Sequence, residues 1–177
     1  MPDAVVLIGP MGAGKSSIGR RIAKRLGLTF TDTDTVIVRE HGPISDLFGT
    51  KGEAEFRRIE REAVANALTK GGIIALGGGA VLAPETREAL SHHHVVALTV
   101  SQRTIASRIR GSKRPLLNSG DPLAEWVRIS EERRPIYESL ADVTYDTSRG
   151  PLKNVVEEAA AWAADRLGVP LERKEAE

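Results

Sequence analysis

The sequence lacks several features that would place a protein in a specialised class. It contains no cysteine, which excludes disulfide bonds and thiolate metal sites and agrees with a reducing cytoplasm. The formal net charge of +1 provides no global field that favours nucleic acid or a membrane surface. The apolar run after Met1-Pro2-Asp3 is only five residues, too short for a signal peptide or a membrane span. We therefore expect a soluble cytoplasmic protein, and 177 residues fit a single domain.

The first informative feature is a glycine-rich stretch over residues 9–17, Gly-Pro-Met-Gly-Ala-Gly-Lys-Ser-Ser. It fits the pattern Gly, four residues, Gly-Lys-Ser/Thr, between an apolar run at residues 4–8 and a helical pattern that ends at Gly27. In that context, backbone N–H groups and the helix N-terminus hold phosphate oxygens. Lys15 would reach the β- and γ-phosphates, and the Ser16 hydroxyl would ligate Mg²⁺. The predicted ATP-binding residues of this loop are Gly12, Ala13, Gly14, Lys15, Ser16 and Ser17.

Short apolar runs alternate with helical patterns along the rest of the chain. The predicted strands are residues 4–8, 28–31, 73–76, 95–100 and 143–145. The helices predicted after the first are residues 35–40, 44–48, 52–70, 84–90, 122–140 and 152–167, together with a helix that Ser101 caps. This alternation predicts an α/β fold of the P-loop NTPase type, with three layers, about five parallel strands and a mobile lid.

Polar or flexible residues follow the second and third predicted strands, where a parallel sheet places its ligands. Asp32 and Asp34 follow the second strand, and three glycines at residues 77–79 follow the third. Because the two carboxylates are two residues apart, we expect them to point the same way. One would hold Mg²⁺, and the other would accept the proton of an attacking hydroxyl. The alternatives are that Asp34 only caps the next helix and that the glycines form a flexible turn.

Several arginines are candidates for binding anionic groups. Arg57 is three residues before Glu60 and can pair with it on a helix, which leaves an exposed salt bridge as the alternative to a binding role. Arg133 carries the same ambiguity. Arg114 lies in a segment without periodicity, where a lid arginine could close over a transferring phosphate.

Taken together, these motifs resemble the shikimate kinase family over nearly the whole chain and in the same order. The resemblance is carried by the phosphate loop, Asp32-Thr33-Asp34, Phe56-Arg57-Arg58-Ile59-Glu60, Leu76-Gly77-Gly78-Gly79-Ala80, Lys113-Arg114-Pro115-Leu116 and Arg133-Arg134-Pro135-Ile136-Tyr137. It implies a fold similar to that of nucleoside monophosphate kinases. It also implies transfer of the ATP γ-phosphate to the 3-hydroxyl of shikimate, on the route to chorismate and the aromatic amino acids.

The resemblance also implies roles for individual residues. Asp34 would bind shikimate hydroxyls and take the 3-hydroxyl proton, with Lys15 and Arg114 as the other catalytic residues. The other shikimate-binding residues would be Arg57, Gly78, Gly79 and Arg133, with Glu60 orienting Arg57. Asp32 would join Ser16 in the Mg²⁺ site. Arg108 and Arg149 would lie near adenine, with Arg110 as a competitor for the first of these positions.

The resemblance further implies one kinase domain over residues 1–170, with substrate-binding helices at about 33–60 and a lid at about 111–122. Residues 171–177 form a charged tail that we expect to be disordered. Nothing in the sequence demands a partner chain, so we expect a monomer. The alternatives are a gluconate kinase of the same fold, a nucleoside monophosphate kinase, and a nucleotide-binding switch without transfer chemistry.

Overall fold

A parallel sheet forms the centre of the computed structural model, which describes residues 3–108 and 120–171. Within those residues the sheet has five strands in the order β2-β3-β1-β4-β5, and every neighbouring pair is parallel. The strands are β1 Ala4–Ile8, β2 Phe30–Asp32, β3 Gly72–Ala75, β4 His94–Thr99 and β5 Val143–Asp146. The helices are α1 Lys15–Leu26, α2 Thr33–His41, α3 Ile44–Lys70, α4 Pro84–Leu90, α5 Gln102–Arg108, α6 Pro122–Leu140 and α7 Leu152–Leu167, with a 3-10 turn at Ala80–Leu82.

The central strand β1 is buried on both faces, as its continuous apolar run predicts. Val5 and Leu7 pack toward α1 and α7, in a cluster that includes Ile18, Ile22 and Ala160. The alternate residues of β1, Ala4, Val6 and Ile8, pack with Val64 of α3 and Tyr137 of α6 on the opposite face. Helices therefore cover both faces, and the predicted three-layer α/β fold is confirmed.

The start of α2 differs from the sequence prediction. The helix begins at Thr33, two residues earlier than expected, because the Asp32 side chain caps it by accepting a hydrogen bond from the Thr35 N–H at 3.1 Å. Asp34 is therefore in the first turn of α2, so the strand spacing from which we expected Asp32 and Asp34 to point the same way does not apply to this pair. The alternative role for Asp34 as the helix cap is also wrong, since Asp32 has that role.

Residues 44–70 form one helix with a break inside it. Gly52 has φ 82° and ψ 168°, outside the helical range, so α3 is two helical segments joined at that glycine. This agrees with the prediction of a short helical turn at 44–48 and a longer helix from residue 52. The break turns the first segment back toward α2, against which α3 packs through Ile37, Leu47 and Phe56.

Some predictions concern residues outside the described part of the chain. Arg110 and Arg114 are among them, as are residues 111–119 of the predicted lid and residues 172–177 of the predicted tail. Within the described residues, the helices are too short or too polar to cross a membrane.

Candidate active site

The ends of β1, β2 and β3 bring the predicted site residues to one edge of the sheet. Strand β3 lies between β2 and β1, so residues 77–79 are beside both Asp32 and the glycine-rich loop. The Leu76 N–H donates to the Leu7 carbonyl at 3.1 Å, which extends the pairing of β3 with β1 to the start of the loops that follow these two strands. The expected common crevice is therefore present, with the phosphate loop on one side and the aspartates and glycines on the other.

The loop at residues 9–17 has the geometry of a phosphate-binding loop. Gly12 and Gly14 have φ of 80° and 95°, which residues with a side chain rarely adopt. Gly14 is the N-cap of α1 and supplies no side chain to the first N–H groups of that helix. The Lys15 ammonium donates to the Gly9 and Pro10 carbonyls at 2.7 and 3.0 Å, so its charge lies against the loop. A helix N-terminus with a fixed cation beside it favours an anion.

Ser16 and Asp32 form the candidate magnesium site. The Ser16 hydroxyl donates to Asp32 Oδ2. Ser16 follows β1 and Asp32 ends β2, and strand β3 lies between these two strands in the sheet. A hydroxyl and a carboxylate are hard oxygen ligands, and Mg²⁺ in such sites completes its shell with water and substrate phosphates. Among the described residues, no group of three or more acidic, histidine or cysteine side chains could hold a metal ion by itself. The donor set thus fits a magnesium ion that arrives with a nucleotide.

A cavity of about 380 Å³ lies beside this loop, between α2, α3 and α6. Its charged lining residues are Asp34, Arg57, Glu60 and Arg133, and its apolar lining includes Val38, Ile44, Phe48 and Phe56. Met11 of the phosphate loop also lines the cavity, so the two sites adjoin. Two guanidinium groups and two carboxylates on an apolar background suit a small acid that also carries hydroxyl groups.

The Arg57–Glu60 pair is buried and does not match the exposed salt bridge that was the alternative reading. Arg57 Nη1 donates to Glu60 Oε1 at 2.7 Å, and the Glu60 side chain is only 4% exposed. Burial raises the pKa of Glu60, while Arg57 acts in the opposite direction and nearby Asp34 raises it further. Glu53 adds a second contact to Arg57 at 3.4 Å. Arg57 is thus fixed by carboxylates with its guanidinium at the cavity wall.

The glycines at residues 77–79 are needed because charged side chains approach them closely. A Cβ at Gly77 would lie 2.7 Å from Asp34 Oδ1 and 3.0 Å from Glu60 Oε2. A Cβ at Gly79 would lie 2.4 Å from Arg57 Nη1. The alternative of a merely flexible turn is therefore insufficient, since a side chain at Gly77 or Gly79 would displace Asp34 or Arg57 from the cavity wall.

Tyr137 and Trp126 of α6 contribute contacts that sequence reasoning did not anticipate. The Tyr137 hydroxyl donates to the Gly78 carbonyl at 2.5 Å, and burial raises the pKa of Tyr137 to about 12. The Trp126 indole N–H donates to the Met11 carbonyl at 2.8 Å. Their spacing of 11 residues places both on the face of α6 that carries Arg133. This helical spacing is the feature of the sequence that could have indicated that Trp126 and Tyr137 face the site.

The two arginines predicted near adenine have different environments. Arg108 reaches the phosphate loop, where Nη1 donates to the Gly12 carbonyl at 2.8 Å and Nη2 donates to the Thr147 carbonyl at 3.1 Å. Arg149 is exposed in the connection between β5 and α7, two residues after Thr147. The structure thus brings Arg108 to the phosphate loop.

The sheet order, the phosphate loop and an adjoining acceptor cavity define the class of small-molecule kinases with a P-loop. Comparison with known proteins gives the family, since the shikimate kinase model matches residues 11–164. Shikimate kinase of Mycobacterium avium is 47% identical over 152 residues, covering 84% of this chain and 86% of that protein. Shikimate kinase of Thermobifida fusca is 46% identical over 165 residues, covering 92% and 93%. The chain belongs to the shikimate kinase family, and the predicted family and kinase activity are confirmed.

Solved structures support the same conclusion. Shikimate kinase from Acinetobacter baumannii in complex with shikimate superimposes with a TM-score of 0.87 at 30% identity, covering 94% of this chain and 95% of that one. A gluconokinase from Sinorhizobium meliloti gives a TM-score of 0.62 at 22% identity over 94% of this chain and 96% of that one. At that identity the second likeness shows the fold alone.

Proposed function

We propose that this chain transfers the γ-phosphate of ATP to the 3-hydroxyl of shikimate, giving ADP and shikimate 3-phosphate. The observation that carries the proposal is the cavity in which Asp34, Arg57 and Arg133 meet beside the phosphate loop. A Cβ built on Gly78 would lie 3.6 Å from the Met11 N and 3.7 Å from Arg133 Nη1, so Gly78 is close to both the phosphate loop and Arg133.

The acceptor half suits a cyclic acid with several hydroxyl groups. Arg57 and Arg133 would bind the carboxylate, because guanidinium groups pair with carboxylates through parallel hydrogen bonds. Asp34 would accept hydrogen bonds from the ring hydroxyls, and Gly78 and Gly79 would offer backbone N–H groups. The apolar side chains of α2 and α3 would cover the faces of the ring. Gluconate is an open-chain acid without ring faces, so it would pack less well against the apolar side chains of α2 and α3.

The transfer step needs alignment and charge stabilisation more than covalent chemistry. Asp34 would hold the 3-hydroxyl toward the γ-phosphate and take its proton as the phosphoryl group moves. Lys15 and the N–H groups at the start of α1 would stabilise the charge on the transferring oxygens. Arg114 remains a predicted further cation, and it lies outside the described residues.

On the donor side, Ser16 and Asp32 would hold Mg²⁺, which when bound neutralises charge on the β- and γ-phosphates. Family membership implies the use of ATP. The same proposal includes a magnesium requirement and adenine contacts by Arg108 and Arg149. It also includes a monomeric state, a cytoplasmic location and a single kinase domain over residues 1–170.

Release of ADP in a coupled assay tests the function. Pure protein with ATP and Mg²⁺ should turn over with shikimate and not with gluconate or nucleoside monophosphates. Arg133→Met, which keeps much of the side-chain volume and removes the charge, should lose affinity for shikimate. Turnover with gluconate, or ATP binding without any acceptor, would favour one of the rival functions.

A further inference from the structure

We propose that Trp126, Arg108 and Thr147 are positioning residues that hold the phosphate loop in its nucleotide-binding conformation. The inference rests on the proposed role of residues 9–17 in binding phosphate. It concerns the carbonyl groups on the outside of the loop, which the transfer mechanism does not use.

Three consecutive carbonyls of the loop each accept a hydrogen bond from a different side chain. The pairs, all at 2.8 Å, are Trp126 Nε1 with Met11 O, Arg108 Nη1 with Gly12 O, and Thr147 Oγ1 with Ala13 O. The donors come from α6, from the end of α5 and from the connection after β5. Lys15 bonds the two preceding carbonyls, so every carbonyl from residue 9 to residue 13 has a side-chain donor.

Fixing these carbonyls also fixes the N–H groups. A peptide unit is planar and trans, so its N–H points away from its C=O. Bonds to the carbonyls of residues 11–13 therefore orient the N–H groups of residues 12–14. The Ala13 N–H closes a turn onto the Pro10 carbonyl at 3.2 Å, which tightens the same loop.

The loop needs this support because three of its residues, Gly9, Gly12 and Gly14, are glycines with positive φ. Gly12 and Gly14 have no side chain to restrict their rotation, and an unanchored loop would have to be ordered when nucleotide binds. Side-chain anchors would supply that order in advance.

Two of the three anchors, Trp126 and Thr147, lie in the interior of the protein, whereas Arg108 is exposed. Trp126 is 5% exposed and packs against Ile105 and Met11, and Thr147 is 1% exposed. Arg108 joins two of the anchors, because its second nitrogen donates to the Thr147 carbonyl at 3.1 Å. A buried indole N–H needs a partner, and here the partner is the loop.

Calorimetric titration with ADP and with shikimate tests the inference. Thr147→Val removes the hydroxyl at nearly constant shape and should weaken ADP binding about 3- to 10-fold, the loss expected for one hydrogen bond. Thr147→Ser keeps the hydroxyl and should bind ADP within about twofold of the unmodified protein. Trp126→Phe should resemble Thr147→Val, and the affinity for shikimate should change less than that for ADP in each case.

The second tryptophan provides a matched control. Trp162 lies on α7, where its ring contacts His94 and Arg166, and Trp162→Phe should leave ADP binding unchanged. Urea unfolding of each variant separates a loss of stability from a loss of binding. Lower stability with unchanged ADP affinity in Thr147→Val and Trp126→Phe would overturn the inference, as would equal losses in Thr147→Ser. Failure of the unmodified protein to bind ADP would instead overturn the phosphate-loop assignment.

Discussion

Gly79→Ala should weaken shikimate binding by displacing Arg57. The added methyl would lie 2.4, 2.6 and 2.7 Å from the Nη1, Nη2 and Cζ atoms of Arg57. Ordinary contacts begin near 3.4 Å, so the guanidinium must move by about 1 Å. Gly79 itself has φ −95° and ψ −2°, which alanine adopts without strain. The perturbation therefore falls on the side chain of Arg57 and leaves the backbone unstrained.

The size of the effect follows from what Arg57 would lose. A shift of this size breaks the alignment of its 2.7 Å pair with Glu60 and removes the charge-assisted bond to the substrate carboxylate. Such a bond contributes about 1.5–3 kcal/mol, equivalent to about a 10- to 150-fold rise in the KM for shikimate. The KM for ATP should change less than about twofold, because Arg57 lies on the acceptor side.

The assay is ADP release at varied shikimate and saturating ATP. Gly49→Ala is the matched control, since an added Cβ there meets nothing within 4 Å and the residue is inside α3. That control should keep both KM values. A folded Gly79→Ala enzyme with an unchanged KM for shikimate would show that Arg57 is not a ligand of the carboxylate.

The remaining predictions test other parts of the site. Lys15→Ala should remove most turnover because the transferring phosphate loses its fixed cation, and a near-normal kcat would contradict that role. Asp34→Asn should lower kcat by roughly 100-fold or more, whereas an effect confined to the KM for ATP would move Asp34 to the nucleotide side. Tyr137→Phe should raise the KM for shikimate about 3- to 10-fold by freeing the Gly78 carbonyl, and an unchanged value would make the bond structural only. Burial raises the pKa of Glu60 above its ordinary value of 4.5. As the pH is lowered, Glu60 should therefore take up a proton and release Arg57, and kcat/KM for shikimate should fall with a midpoint above pH 4.5. The folded protein also binds this proton more tightly than the unfolded chain does. The free energy of unfolding should therefore decrease as the pH rises from 4.5 through the folded-state pKa of Glu60. Glu60→Gln should remove this pH dependence of the free energy of unfolding.

Local patterns were sufficient to predict the sheet and the phosphate loop. The run at residues 4–8 is apolar at every position because β1 is covered on both faces, and the glycines and Lys15 follow it directly. The contacts that α6 makes with the two halves of the crevice join distant segments, which spacing alone does not determine. Tyr137 bonds a carbonyl 59 residues away, and Trp126 bonds one 115 residues away. Only the packing of α6 across the sheet ends reveals these partners.

The two aspartates show where a local rule failed. Alternation along a strand predicted a common direction for Asp32 and Asp34, but the Asp32 carboxylate caps α2 and ends the strand between them. Asp32 consequently contacts Ser16, while Asp34 lines the acceptor cavity through the first turn of a helix. The assignment of Asp32 to the magnesium site and of Asp34 to the acceptor site comes from the family resemblance, and both roles stay predictions.

The most direct test of the two-sided site is analysis of the product by ³¹P NMR. We expect shikimate 3-phosphate and ADP in equal amounts when the protein is incubated with ATP, Mg²⁺ and shikimate. The Arg57→Ala enzyme should form this product only at high shikimate concentration. Release of inorganic phosphate without phosphorylated shikimate, or phosphorylation at another hydroxyl, would contradict the proposed alignment of Asp34 with the phosphate loop.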